Sequence, residues 1–301
     1  MGDLARGRAE QIARRAYRGA RKLGKRALSH ALLAALRVRN RVARRSVVGD
    51  APVVVSLTTY GQRASSVWAA VESIGAGSVR PRRLVLWLDD ARIHAALPPS
   101  LRRLEKRGLE VRLTENLGPH TKYYPTLALT ADQPVSLVTA DDDILYPRTW
   151  LAELLDAARR HPGEVVCHRA FVVRVDADHL APYASWPNCR SDRPSPTHFA
   201  TGVSGVLYPP LMQAELRERG TAFMASTPKA DDVWLHWVAL RAGVGVRQVR
   251  STPRHFPFIP GTQAGGLVNA NVGEAMNDRW ISQVYDATDA RALAEAGAPT
   301  A

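Results

Sequence analysis

Three consecutive carboxylates, Asp141, Asp142 and Asp143, form the densest chemistry-bearing feature of the chain, and they follow at once on the apolar run Val135–Val138. Adjacent carboxylates at the carboxyl end of a buried strand repel one another unless cations, hydrogen bonds or water compensate them. A divalent cation is an economical compensation, because Mg2+ or Mn2+ prefers hard oxygen ligands and bridges protein carboxylates to a diphosphate. The bland reading of the same residues is an acidic loop at a helix start, with Asp143 favouring the dipole of the helix that follows.

The elements needed to position such a turn are legible around it. Val53–Leu57 reads as a β-branched strand after Pro52, with a helix-compatible stretch Ser65–Ser73 ahead of Gly75 and Gly77. Arg83–Leu88 is a second strand, Leu97–Arg107 a second helix closed by Gly108, and Leu109–Leu113 a third strand. Thr121–Thr130 is helix-compatible despite Pro125, Pro134–Val138 is the next strand, and Pro147–Arg160 a long helix. Alternation of this kind predicts an α/β fold with a mostly parallel sheet. Open sheets of that type bind ligands at the carboxyl ends of their strands, where the three Asp fall. Beyond His161 the pattern predicts short strands at Val165–Cys167 and Phe171–Val175, then a loop from Ala181 to Pro196 punctuated by four prolines. Helices at Leu211–Glu218 and Asp231–Ala242 and a late strand at Val246–Val249 complete the reading. The expected organisation is a basic extension, residues 1–49, on a single domain, residues 50–301, with halves at about 50–160 and about 161–301.

The 301 residues carry 41 Lys or Arg against 28 Asp or Glu, a net charge of +13, which by itself suggests a nucleic-acid partner. Residues 1–50 hold 14 of the basic side chains against Asp3, Glu10 and Asp50, a balance of +11, while the rest is close to neutral at +2. Nucleic acid is therefore not the expected partner. The extension is rich in Ala, Leu and Arg, lacks proline and is expected to be helical, with Leu23, Ala27, Ala31, Ala34, Val38 and Val42 on one row and Arg37, Arg41 and Arg44 on another. Three outcomes stand open for residues 1–46: an anionic membrane surface as partner, a solvated tail, or a helix packed on the body. Its apolar run, Ala31–Leu36, is far short of the ~20 residues that span a bilayer, and no secretory signal is evident, so a cytoplasmic protein, peripheral at most, is expected. Two cysteines, Cys167 and Cys189, exclude a disulfide framework.

From about Val53 to His255 the sequence resembles the nucleotide-sugar-dependent glycosyltransferases of the GT-A fold, a Rossmann-like three-layer αβα architecture, and in particular the bacterial family 2-like enzymes that build glycans. The acidic turn carries the resemblance: Asp141 and Asp143 look like that family's Asp-x-Asp pair, which holds Mn2+ or Mg2+ and the donor diphosphate. The resemblance implies Asp143 as the direct metal ligand, Asp141 on the metal's water or the donor ribose, and His255 as a late third ligand, against a structural role for that histidine. It implies a donor-nucleotide pocket at Thr58, Tyr60 and Arg63, against ordinary strand-to-helix capping. Lys122 would pair with donor phosphate, or with the three Asp as scaffold. Asp232, with Asp231 as its alternative, would take the proton of the acceptor hydroxyl, against helix capping by either. Gly202 and Gly205 would form a flexible wall that the donor sugar or acceptor can approach closely, and Trp186 and Trp234 offer sugar platforms, Trp186 foremost because its Pro-rich surroundings read as a surface loop. Residues 261–266 suggest a lid.

The implied reaction is metal-dependent transfer from a nucleotide diphosphate sugar to a hydroxyl of a glycan or lipid-linked glycan acceptor in polysaccharide or glycolipid assembly at the cell envelope, with inversion preferred and retention left open. Two other classes compete: a nucleotidyltransferase or other sugar-nucleotide enzyme, and a noncatalytic carbohydrate-binding protein.

Overall fold

Alternate residues of the first strand face opposite ways, and each set finds its own core. Val53, Val55 and Leu57 join one apolar cluster with Leu84, Leu86 and Leu88, while Val54, Val85 and Trp87 join another with Leu137. Two cores on two faces of one sheet make three layers. The computed structural model that shows this describes residues 24, 26–263 and 276–298.

The described chain begins with helix α1, residues 26–42. There follow β1 (Ala51–Thr59), α2 (Trp68–Gly75), β2 (Pro81–Leu88), α3 (Ala91–Ala95), α4 (Pro99–Glu105), β3 (Leu109–Leu113), α5 (Tyr124–Leu129), β4 (Ser136–Thr139) and α6 (Trp150–Arg160). The second half supplies β5 (Val165–Cys167), β6 (Ala170–Val172), β7 (Val175–Asp176), β8 (His179–Leu180), β9 (His198–Ala200), β10 (Val206–Tyr208), α7 (Pro210–Arg219), α8 (Phe223–Ser226), α9 (Asp231–Arg241), β11 (Val246–Gln248), α10 (Met276–Val284) and α11 (Ala287–Gly297).

Seven strands form the central sheet in the order β11-β5-β10-β4-β1-β2-β3. All neighbours pair in parallel except β10, which runs antiparallel between β4 and β5. The sequence-based expectation of a mostly parallel sheet in an αβα sandwich is met, and both halves of the chain share the sheet. Reversal of β10 has a consequence for function. Its amino end lies at the rim where the parallel strands have their carboxyl ends, so the Gly202–Gly205 turn before it joins the acidic turn after β4.

Two glycines are required for close approach. Gly205 has φ 90°, and a Cβ there would meet the Trp150 indole at 2.6 Å. At Gly202 a Cβ would lie 2.8 Å from Lys122 Nζ and 3.2 Å from Asp232 Oδ1. The flexible wall expected of these glycines is instead tight packing, Gly205 against a core tryptophan and Gly202 against charge.

A third apolar cluster, away from the sheet, contains Trp186, Phe199, Val233, Trp280, Ile281 and Leu293. Here the sequence expectation for Trp186 is corrected. Its ring is 4% exposed, packs on Tyr183 and Phe199 and donates its Nε1–H to Ala181 O at 2.9 Å, so it is core rather than a surface sugar platform. Four prolines predict a surface loop, but the segment folds inward because its aromatics have apolar partners in α9, α10 and α11.

Candidate active site at the carboxyl rim of the sheet

Four structural features bring charge to one rim. The turn after β4 carries Asp141–Asp143, the loop after β1 carries Tyr60 and Arg63, the 3-10 turn Gly118–Lys122 carries Lys122, and the first turn of α9 carries Asp231 and Asp232. They sort into two clusters.

In the first, Arg63 spans both later carboxylates. Its Nη1 donates to Asp142 Oδ1 at 2.7 Å and its Nη2 to Asp143 Oδ2 at 2.8 Å. Thr59 Oγ1 donates to Asp142 Oδ2 at 2.6 Å, and Gln263 Nε2 donates to Asp143 Oδ2 at 3.0 Å. Burial nevertheless pushes the Asp142 carboxyl up to about 6, with Arg63 and the Thr59 hydroxyl working against that rise. Burial raises Asp143 as well, reinforced by Asp141 and opposed by Arg63. Arg63 also donates to Thr262 O at 3.2 Å, which ties the segment before residue 264 to the acidic turn.

In the second cluster, Lys122 Nζ lies 2.8 Å from Asp231 Oδ2, an ion pair without hydrogen-bond alignment, and donates to Asp141 Oδ1 at 3.3 Å. Burial works against the Lys122 ammonium, but Asp141, Asp231 and Asp232 together outweigh it and hold its pKa well above lysine's ordinary value. One cation thus faces three carboxylates. The carboxyl of Asp232 is pushed up to about 7, first by burial and then by the charge of Asp231. Helix capping does not explain α9's two acids: the N-cap residue is Ala230, without a side-chain cap, and Asp232 Oδ1 instead accepts from Gly202 N at 3.0 Å.

The remaining residues singled out from sequence fall into two groups. Near the rim, Thr58 uses its hydroxyl on Trp87 O at 3.2 Å, and Tyr60 is exposed with Arg63 5.7 Å from its ring centroid. Of the second group, Trp234, in the first turn of α9 with Asp231 and Asp232, is buried among Phe223 and Trp237. His255 lies exposed between Arg254, which pairs with Glu153, and buried Phe256. The proposed lid, residues 261–266, lies outside the described residues from 264 onward.

The metal reading of the acidic turn is corrected by this geometry. Among the described residues no group of three or more His, Cys, Asp or Glu side chains is placed to hold a metal ion. Asp141, Asp143 and His255 do not make a ligand set, because Arg63 occupies Asp142 and Asp143 and Lys122 occupies Asp141. The turn is compensated by protein cations, and its resemblance to a manganese-binding Asp-x-Asp motif does not hold.

Sequence reasoning missed Thr59 and Arg169. Arg169 follows β5 by two residues, at the same rim. Its Nε is buried with no hydrogen-bond partner, its guanidinium stacks 4.8 Å from the Phe171 centroid, and burial lowers its pKa, with Tyr183 and Asp232 working the other way. The available signal was a cation at the end of a strand beside an aromatic residue.

No protein-family model matches the chain, and no curated protein matches it. A solved structure described as CMP:2-keto-3-deoxy-manno-octonic acid synthetase complexed with CTP is similar at 12% identity over 75% of this chain and 99% of its own, with a TM-score of 0.44. A likeness that faint lends no weight to a reading of function. The identification with GT-A glycosyltransferases is corrected to the extent that no family model and no curated protein supports it. What stands is the broader statement, a three-layer αβα Rossmann-like fold. No helix among the described residues is long and apolar enough to cross a membrane.

Proposed function

We propose that the chain is an enzyme acting on a nucleotide sugar, as a nucleotidyltransferase or another sugar-nucleotide enzyme, with its reacting centre over Asp232, Asp231 and Lys122. The observation that carries this is Asp232: a rim carboxyl raised to about 7, oriented by Gly202 N and sharing one buried lysine with two other acids. A carboxylate of that basicity is suited to take a proton near neutral pH. In the nucleotidyl-transfer form, a sugar hydroxyl attacks the α-phosphorus of a nucleoside triphosphate, Asp232 takes the hydroxyl proton, and pyrophosphate leaves. Lys122 and Arg169, both within electrostatic reach of Asp232, would meet the charge that develops, and Tyr60 offers an exposed ring for a base. The carbohydrate-binding alternative loses support because Trp186 and Trp234, its expected platforms, are buried.

The test is incubation of the full chain, with Mg2+ or Mn2+ present, with a panel of nucleoside triphosphates plus free sugars and a panel of nucleotide sugars. The readouts are pyrophosphate and product mass. Pyrophosphate release with formation of a nucleotide sugar, or conversion of a nucleotide sugar, is the expected result, lost in Asp232→Asn. Absence of turnover together with absence of saturable nucleotide binding overturns the reading.

A further inference from the structure

Helix α1 turns a different face to the body than its sequence pattern suggests. Leu33 and Leu36 pack against the main core, and Arg39 and Asn40 reach a fully buried Glu72 on α2. Arg39 Nε donates to Glu72 Oε1 at 2.7 Å, Asn40 Nδ2 donates to Glu72 Oε2 at 3.3 Å and to Ser100 O at 3.2 Å, and Arg107 grips the same carboxylate through both terminal nitrogens. Buried ionic contacts of this kind fix the helix in one rotational setting on the protein.

That setting leaves the apolar row outside. Leu28 is 52% exposed, Leu32 37%, Val38 60% and Val42 69%. At 100° per residue Leu28, Val38 and Val42 fall within about 80° of one another on the side away from Leu33 and Asn40, with Ala31 and Ala35 between them, while Leu32 lies at the border of the docked face beside Arg39. Arg37 and Arg41, both exposed, form the adjoining strip, and exposed Arg44 follows the end of the helix. The helix therefore has three faces: one docked, one cationic and one apolar with no partner among the described residues.

We propose that this outer face of α1 docks the protein on an anionic membrane surface, the apolar row entering the acyl boundary and the arginine strip meeting lipid phosphates. Charge complementarity selects the occupant. The first fifty residues carry +11 while the remaining chain is close to neutral, so attraction is confined to the end of the molecule that bears the apolar row. A second copy would have to bring two such basic strips together.

The experiment is co-sedimentation of the full chain with vesicles of phosphatidylglycerol and phosphatidylcholine, and with phosphatidylcholine alone, comparing the wild type with Val38→Ser/Val42→Ser and with Arg37→Gln/Arg41→Gln. Thermal unfolding confirms that each variant folds, and sedimentation velocity reports self-association. Expected are binding to the anionic vesicles only, a roughly tenfold loss in the serine variant from the lost apolar burial, and a loss in the glutamine variant that grows as salt is lowered. Wild-type binding by the serine variant overturns the proposal, because adhesion would then be electrostatic alone. Absence of vesicle binding, or a dimer abolished by the serine variant, also overturns it.

Discussion

The two charge clusters of the rim are built from neighbouring residues of one turn and end in opposite conditions. Asp142 and Asp143 share an arginine whose planar fork meets them both, with Thr59 and Gln263 adding donors. Asp141 shares a single ammonium with Asp231 and Asp232. A guanidinium offers five fixed donors and satisfies a pair; an ammonium is a point charge that three carboxylates over-subscribe. The first cluster is a closed structural clasp between β1, β4 and the segment up to residue 263. The second retains uncompensated negative charge, which adds to burial in raising the Asp232 carboxyl toward neutrality and makes it useful as a proton acceptor.

Removing the most basic acid of the open cluster gives the largest expected effect. Asp232→Asn is expected to lower kcat by about 10²- to 10⁴-fold, the usual contribution of general base catalysis, while the protein still folds. In the wild type the ionised carboxylate is required, so activity should rise with pH through about 7, and that limb should vanish in the variant. A pH–rate profile of both proteins, with the nucleotide-sugar assay as readout, checks it.

Next comes the clasp. Arg63→Gln strands Asp142 and Asp143 in a buried site, and breaking such a pair from one side costs about 3 kcal/mol. Denaturant unfolding should show that loss. A variant as stable as the wild type would mean that the two clusters do not differ in the way described. Arg169→Gln tests the open side again with a smaller effect. If this stacked guanidinium meets a substrate anion through charge-assisted hydrogen bonds worth about 1.5 to 3 kcal/mol, KM should rise about ten- to hundredfold with unfolding unchanged. A fall in kcat at constant KM would instead assign it to the chemical step.

How much of this was legible depended on distance along the chain. Leu109–Leu113 and Val165–Cys167 have the bounds that their apolar runs predict, because a buried strand announces itself by its own residues. Val206–Tyr208 escaped notice, since three apolar residues between Gly205 and Pro209 have too little length for a period, and their antiparallel direction is set by strands far away in sequence. The acidic turn was recognised as chemistry, but Arg63, its neutralising partner, lies 79 positions from Asp142, so the metal reading filled a role the fold had already filled. Trp186 shows the same limit: its prolines are visible locally, its aromatic neighbours on Phe199 are not. The row that spacing predicts on α1 shares Val38 and Val42 with the exposed row but lacks Leu28 and Leu32, and only Glu72 tells which way the helix faces.

The smallest effect separates the clasp's two kinds of support. Thr59→Val keeps shape and removes one hydroxyl donor from Asp142, a loss of about 1 kcal/mol when the acceptor is ionised. Asp142 titrates near 6 in the folded protein, above its value in an unfolded chain, so the native state holds the extra proton and stability falls as pH rises through that window. Taking away the hydroxyl raises the folded value further. The variant and the wild type should therefore unfold alike at pH 4.5, where Asp142 is protonated in the folded state, and diverge by about 1 kcal/mol at pH 8, where it is ionised. Equal destabilisation at both pH values would show that the hydroxyl serves packing rather than charge, and the clasp would then rest on Arg63 alone.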